Sequence, residues 1–149
     1  MAKRTAISRE LRRQVALRSD DLCEYCLIAE SDTFLGCHVD HIISVKHGGP
    51  TTIDNLAYAC VVCNRQKGSD LGSIDWKTQT LVRFFNPRAD RWSAHFYLQG
   101  AKIAALTPIG EVTARILGFN SDSQVIERQM LIDEKRYPSP AAMQRMSKF

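Results

Sequence analysis

The sequence predicts an α+β fold for a chain of 149 residues. Three observations predict it: an amphipathic helical pattern near the N-terminus, two short strand-like segments in the cysteine-rich part, and a hairpin pattern followed by two helical segments. A chain of this length builds one hydrophobic core rather than two. We therefore expect one domain over residues 1–149, with its basic N-terminal helix within residues 1–22.

The N-terminal helix is expected over residues 8–19. Ser8 is a suitable N-cap, because its hydroxyl can accept a hydrogen bond from the first free amides of a helix. Leu11 and Val15 fall on one face, which should dock on the rest of the domain. The opposite face should therefore present arginines to solvent: Arg9, Arg12 and Arg13.

The net charge of +4 lies at one end of the chain. Residues 1–20 hold six basic and two acidic side chains, and the remainder is neutral. A basic segment of this kind is expected where a protein binds a polyanion such as nucleic acid. On charge alone, a solvated helix face explains it as well.

Composition excludes several classes of protein. Hydrophobic residues make up 44% and charged residues 24% of the chain, which is typical of a globular domain rather than a disordered or collagen-like one. No apolar run approaches the ~18 residues of a membrane span, so we expect no membrane association. The first residues lack the apolar stretch of a secretory signal, so the expected compartment is the cytoplasm.

The cysteines predict a structural zinc site. Five cysteines without an export signal argue against disulfides. Four of them form two C-x-x-C pairs separated by 33 residues, and two such pairs complete a tetrahedral site with no open position. A closed site is structural rather than catalytic. Cys37 is left over and is expected to be a small buried side chain. The predicted zinc ligands are Cys23, Cys26, Cys60 and Cys63.

The segment between the two pairs carries residues suited to chemistry. Asp40 and His41 lie in a predicted strand, and Asn55 and Asn64 follow after thirteen and eight intervening residues. Asp40 and Asn64 offer oxygen ligands for a divalent cation, and His41 can accept a proton near neutral pH. Simpler roles remain open: a turn cap for Asp40, a helix N-cap for Asn64 and a structural role for His41.

These residues resemble a known family. The segments CEYC, HVDHIISVKHGG and DNLAYACVVCNRQKG are similar to the HNH endonucleases, which contain a ββα-metal (His-Me) finger. The signature residues occur in the order His41, Asn55 and Asn64, with asparagine in place of the final histidine. The resemblance covers residues 23–68. The later segment FFNPRADRWSAHF also resembles stand-alone bacterial members of the family.

The resemblance implies a catalytic site for DNA hydrolysis. His41 would be the general base that activates water, and Asn55 would brace the loop that orients it. Asp40 and Asn64 would hold one Mg²⁺ or Mn²⁺, which stabilises the developing charge. Residues expected to contact DNA phosphates are Arg9, Arg12, Arg13, Lys46, Arg65 and Lys67.

Two other functions remain open on the sequence. One is a zinc-containing module that binds nucleic acid without cleaving it, and the other is a zinc-containing protein-interaction domain. Neither gives a reason for the spacing of the Asp40, His41 and Asn64 side chains. A homodimer is possible and would have to form through residues 95–135.

The C-terminal extension is expected over residues 69–137. Its predicted elements are a strand at 81–85, a hairpin at 95–106 and helices at 108–117 and 120–135. Arg88, Arg91 and His95 are candidates for a substrate groove, whereas Trp92 and Phe96 are expected in the core. The tail, residues 138–149, is expected to be frayed because it holds two prolines and small residues.

Overall fold

A computed structural model describes residues 6–147 of the chain. Within these residues the protein forms six α-helices and three antiparallel two-stranded hairpins, which confirms the mixed helix and strand content. In chain order the elements are α1 (Arg9–Arg18), β1 (Cys37–His41), β2 (Leu56–Cys60), α2 (Val61–Lys67), β3 (Gly72–Asp75), β4 (Thr80–Arg83), α3 (Trp92–His95), β5 (Phe96–Gln99), β6 (Lys102–Ala105), α4 (Pro108–Leu117), α5 (Asp122–Asp133) and α6 (Pro140–Met146).

The β1–β2 hairpin separates two layers of the core. Its strands pair antiparallel, from Cys37 opposite Cys60 to His41 opposite Leu56. Because side chains alternate along a strand, each face of the hairpin has its own neighbours. Leu56 packs with Val15 of α1 in a small cluster. The other face carries Ala57, which is fully buried in the main core and is small enough for α2 to approach closely.

Several local predictions are confirmed. Helix α1 begins after Ser8, whose hydroxyl accepts a hydrogen bond from the Leu11 amide at 3.1 Å. Helix α4 begins at Pro108 and ends at Leu117, as the sequence predicts. The predicted C-terminal hairpin is formed by β5 and β6.

Three predicted boundaries differ from the structure. Helix α2 begins at Val61 rather than at Asn64, because the Cys60 sulfur already caps its N-terminus. Strand β3 is absent from the sequence prediction; it pairs with β4 and completes a second hairpin. The expected frayed tail is wrong for residues 140–146, which form α6 with Ala142 fully buried. Residues 1–5 and 148–149 lie outside the described part of the chain.

The C-terminal extension closes the main core with aromatic side chains. Phe85 meets the ring of Tyr25, which lies in the first cysteine pair, in an edge-on contact with ring centroids 6.4 Å apart. Trp92 and Phe96 are buried, as the sequence predicts, with centroids 5.1 Å apart. Phe119, which follows α4, completes the stack against Phe96 at 5.5 Å. The extension and the cysteine-rich segment therefore share one hydrophobic core.

None of the helices formed by residues 6–147 has the length and apolar character that a membrane span requires.

Candidate zinc site and candidate active site

The four paired cysteines converge on one point. Their sulfur atoms all lie within 4.8 Å of one another, and the Cys26 and Cys60 sulfurs are 3.8 Å apart. All four residues are buried. A tetrahedral zinc with Zn–S bonds of roughly 2.3 Å needs sulfurs ~3.8 Å apart, so the donor set fits Zn²⁺ in type and spacing.

The electrostatics of the cluster also favour a cation. Four sulfurs this close cannot all be thiolates unless a positive charge compensates them. Hydrogen bonds from Cys23, Cys26 and Cys63 lower the pKa of Cys60, so the cluster stabilises one thiolate. Hydrogen bonding to Cys23 raises the pKa of Cys26 and of Cys63 well above the ordinary value. A divalent cation would remove this conflict.

The first cysteine pair is held by contacts from distant parts of the chain. The carboxylate of Glu24, between the two ligands, accepts a hydrogen bond from the Tyr58 amide at 2.8 Å and pairs with the guanidinium of Arg88. The indole N–H of Trp92 donates to the Tyr25 carbonyl at 2.8 Å. These partners lie on β2 and on the extension, so both support the metal-binding turn.

The last helices contribute a further contact to this turn. The hydroxyl of Tyr137 donates to the Cys26 carbonyl at 2.8 Å, and the side chain of Tyr137 is buried. Sequence reasoning missed Glu24, Arg88, Trp92 and Tyr137 as supports of the cysteine cluster. The only local signal was a charged residue between two predicted metal ligands, since Glu24 would be an unusual buried residue without a partner.

Asp40 lies on the face of β1 that looks toward α2. Its Oδ2 accepts a hydrogen bond from the Lys67 ammonium at 2.9 Å, and the same ammonium donates to the His41 carbonyl at 3.0 Å. Burial raises the pKa of Asp40, and the charge of Lys67 opposes that shift. Lys67 is only 2% exposed. The prediction that Lys67 contacts DNA phosphates is therefore corrected, because its ammonium is directed into the protein.

His41 ends strand β1, and its ring is held from the following loop. The Nε2 atom lies 2.8 Å from the hydroxyl oxygen of Thr51. Sequence reasoning missed Thr51 as a site residue. Its position close after the Gly48-Gly49-Pro50 turn is the only feature of the sequence that could have pointed to it.

Asn55 closes the loop between β1 and β2. Its amide oxygen accepts a hydrogen bond from the Ile43 amide at 2.9 Å, and its amide nitrogen donates to the carbonyls of Ile43 at 2.9 Å and Pro50 at 2.8 Å. Gly49 is needed for this close approach, since a Cβ there would lie 1.7 Å from the Ile43 carbonyl oxygen. The loop that carries Thr51 is thus fixed relative to His41.

Asn64 lies within α2 and is half-buried. It is not the N-cap of the helix, which is Cys60. Residues three apart on a helix share a face, so Asn64 lies on the same side of α2 as Lys67, whose ammonium reaches Asp40. The fold therefore directs Asn64 toward β1, beside the carboxylate of Asp40.

The remaining predicted phosphate contacts are spread over three elements. The guanidinium of Arg13 pairs with Glu10 at 2.6 Å, and Arg12 Nε donates to the Ile7 carbonyl at 3.3 Å. The Lys46 side chain lies in a 3₁₀ turn of the loop after β1. The side chains exposed to solvent are Arg9, Arg12, Arg13, Lys46 and Arg65.

Two candidates for a substrate groove have structural partners instead. Arg88 pairs with the buried Glu24. His95 Nδ1 lies 2.6 Å from the Thr107 hydroxyl. Both side chains therefore stabilise the extension, and the groove predicted from Arg88 and His95 is corrected.

Comparison with known proteins identifies the class. Residues 23–70 match a protein-family model described as HNH endonuclease. The matched segment contains both cysteine pairs, the β1–β2 hairpin and α2. No curated protein and no solved structure matches the chain. The chain therefore contains an HNH endonuclease domain, a class of nucleases that bind metal, and no relative narrows the identification further.

Proposed function

We propose that the protein is a metal-dependent endonuclease that hydrolyses phosphodiester bonds of DNA. The observation that carries the proposal is the meeting of Asp40 and His41 at the end of β1 with α2 and the braced loop, inside the segment that matches HNH endonucleases. A carboxylate beside an oriented imidazole combines a cation ligand with a proton acceptor, and phosphodiester hydrolysis uses both.

The residues present fit a hard divalent cation. Asp40 supplies a carboxylate oxygen and Asn64 an amide oxygen, which are ligand types suited to Mg²⁺ or Mn²⁺. When bound, such a cation supplies charge stabilisation for the phosphate and for the leaving 3′-oxygen. In this proposal the cysteine cluster holds a separate, structural Zn²⁺, because four thiolates leave no open position.

His41 is the general base of the proposed reaction. It accepts a proton from a water molecule, whose oxygen forms a bond to phosphorus while the bond from phosphorus to the 3′-oxygen breaks. Thr51 holds one ring nitrogen and Asn55 fixes the loop that carries Thr51, so the orientation of the imidazole is set before substrate binds. Such fixed orientation lowers the entropic cost of reaching the transition state.

DNA is the proposed substrate because cationic side chains lie exposed on α1, on the loop after β1 and on α2. Arg9 and Arg12 represent the first group, Lys46 the second and Arg65 the third. Contacts of this type bind the phosphate backbone and carry no base specificity by themselves.

The test is nicking of supercoiled plasmid DNA by the purified, zinc-loaded protein with Mn²⁺ or Mg²⁺. We expect His41→Ala to lose about 10²–10⁴-fold in rate, because that is the usual contribution of a general base. Asp40→Ala should also lose cleavage, together with Mn²⁺ affinity. His38→Ala is the matched control, since it removes an exposed imidazole from the same strand.

The outcomes separate the proposal from its alternative. Cleavage at wild-type rates by both His41→Ala and Asp40→Ala would refute the proposed site. Salt-sensitive DNA binding without cleavage by the wild-type protein would instead favour a zinc-containing nucleic-acid-binding module.

A further inference from the structure

Lys67 is a buried cation directly beside the proposed divalent site. Lysine is almost never fully buried unless it is paired, and here the pair is Asp40. The Lys67 ammonium also donates to the His41 carbonyl, so its position is fixed by two bonds from β1. It is thus held in place rather than free to leave the site by simple side-chain rotation.

This ion pair changes the charge of the proposed cation site. Of the two proposed ligands only Asp40 carries a charge, and Lys67 neutralises it at a nitrogen–oxygen distance of 2.9 Å. The affinity of oxygen-ligand sites for divalent cations depends on how many negative ligands they contain. A site made from Asp40, Asn64 and Lys67 has no net negative charge with which to attract a cation.

We propose that Lys67 makes cation binding depend on DNA, with a phosphodiester anion supplying the negative charge that Lys67 cancels at Asp40. This inference rests on the proposed function and specifies how its site is filled. The DNA-free protein binds Mg²⁺ or Mn²⁺ weakly, and DNA and cation bind with positive coupling. By linkage the effect is reciprocal, so the cation tightens DNA binding by the same factor.

A purely structural role for Lys67 makes a different prediction. If Lys67 only ties α2 to β1, removing its charge destabilises the protein and leaves cation affinity unchanged or weaker. If Lys67 sets the charge of the site, removing that charge tightens cation binding to the DNA-free protein. Cation affinity without DNA therefore distinguishes the two roles.

The experiment measures Mn²⁺ affinity by titration calorimetry in a His41→Ala background, with and without a short DNA duplex. This background lacks the proposed base, so the duplex stays intact, while Asp40, Asn64 and the backbone carbonyl at position 41 remain. We expect the duplex to tighten Mn²⁺ binding roughly five- to tenfold or more, within the usual range of coupling between two sites.

Added to this background, Lys67→Met should tighten Mn²⁺ binding without DNA by a similar factor and reduce the coupling. Arg65→Met is the matched control, because it removes an exposed cation from the same helix. It should change DNA-free Mn²⁺ affinity by less than about twofold, since exposed charges are screened by water and salt. Circular dichroism and zinc content establish that each variant is folded, and Lys67→Gln replaces Lys67→Met if the latter does not fold.

Three results have distinct meanings. A folded Lys67→Met or Lys67→Gln variant that binds Mn²⁺ no more tightly than the background would overturn the inference. Absence of coupling between Mn²⁺ and the duplex in the background protein would also overturn it, without any change at Lys67. If Asp40→Ala leaves Mn²⁺ binding unchanged, the proposed cation site itself is wrong, and the proposed function fails with it.

Discussion

Tyr137→Phe tests whether the C-terminal helices support the zinc-binding turn. The substitution removes one oxygen atom from a buried side chain and leaves the ring in place. That oxygen donates to the Cys26 carbonyl at 2.8 Å, across 111 residues of sequence. The carbonyl would remain buried without this donor.

The expected cost follows from that geometry. Leaving a buried polar group without its hydrogen-bond partner costs about 1–3 kcal/mol. For a domain of this size, each kcal/mol lowers the melting temperature by roughly 2–4 °C. If zinc leaves through opening of the first cysteine pair, the same energy accelerates its release by roughly fivefold to 150-fold, since 1.4 kcal/mol corresponds to a factor of about ten.

Two measurements check the prediction: thermal denaturation of the zinc-loaded protein, and the rate of zinc transfer to a colorimetric chelator. Tyr97→Phe is the matched control, because the Tyr97 side chain is 43% exposed on β5. It should change stability by less than about 0.5 kcal/mol. A Tyr137→Phe protein with the melting temperature and zinc-release rate of the wild type would show that this hydrogen bond does not support the site.

Three further predictions concern the zinc, the imidazole and the basic helix. Cys63→Ser should give insoluble or protease-sensitive protein, because structural zinc contributes about 10–16 kcal/mol of apparent free energy; a soluble variant with native circular dichroism would contradict this. Thr51→Val should lower kcat more than it changes KM, since it frees the His41 ring to rotate, and Thr51→Ser should restore activity; equal kinetics for all three proteins would exclude this role. Arg9→Ala with Arg12→Ala should flatten the dependence of log K on log [salt] by ~0.9 for each DNA phosphate that the variant no longer neutralises, and an unchanged slope would show that α1 does not touch DNA.

The parts of the fold that sequence could predict depend on neighbouring residues. Helix α4 has a proline in its first turn and is followed by Gly118 in a left-handed conformation, so both its ends are encoded locally. Helix α1 begins at its predicted N-cap because Ser8 bonds within one turn. The two cysteine pairs are equally local, and the pairing of their turns follows from the chemistry of a single metal.

The contacts that sequence could not predict join residues far apart. Lys67 and Asp40 are 27 residues apart, and Arg88 and Glu24 are 64 apart. Spacing rules give no information about such pairs, because they form only after the elements pack. The prediction of a DNA contact for Lys67 is wrong for that reason: a lysine on a basic helix is usually solvated, and only the packing of α2 on β1 buries this one.

The order of residues around α2 explains why a structural metal matters for a site that contains none of its ligands. Cys60 is the last residue of β2 and the N-cap of α2, and Cys63 lies one turn later. Asn64 follows directly, and Lys67 comes one turn after it on the same face. A cation held by the four cysteines would therefore fix the start of the helix whose next turns face Asp40. Release of that cation would let α2 move away from β1, and the Asp40 side would lose its partner and its proposed second ligand together.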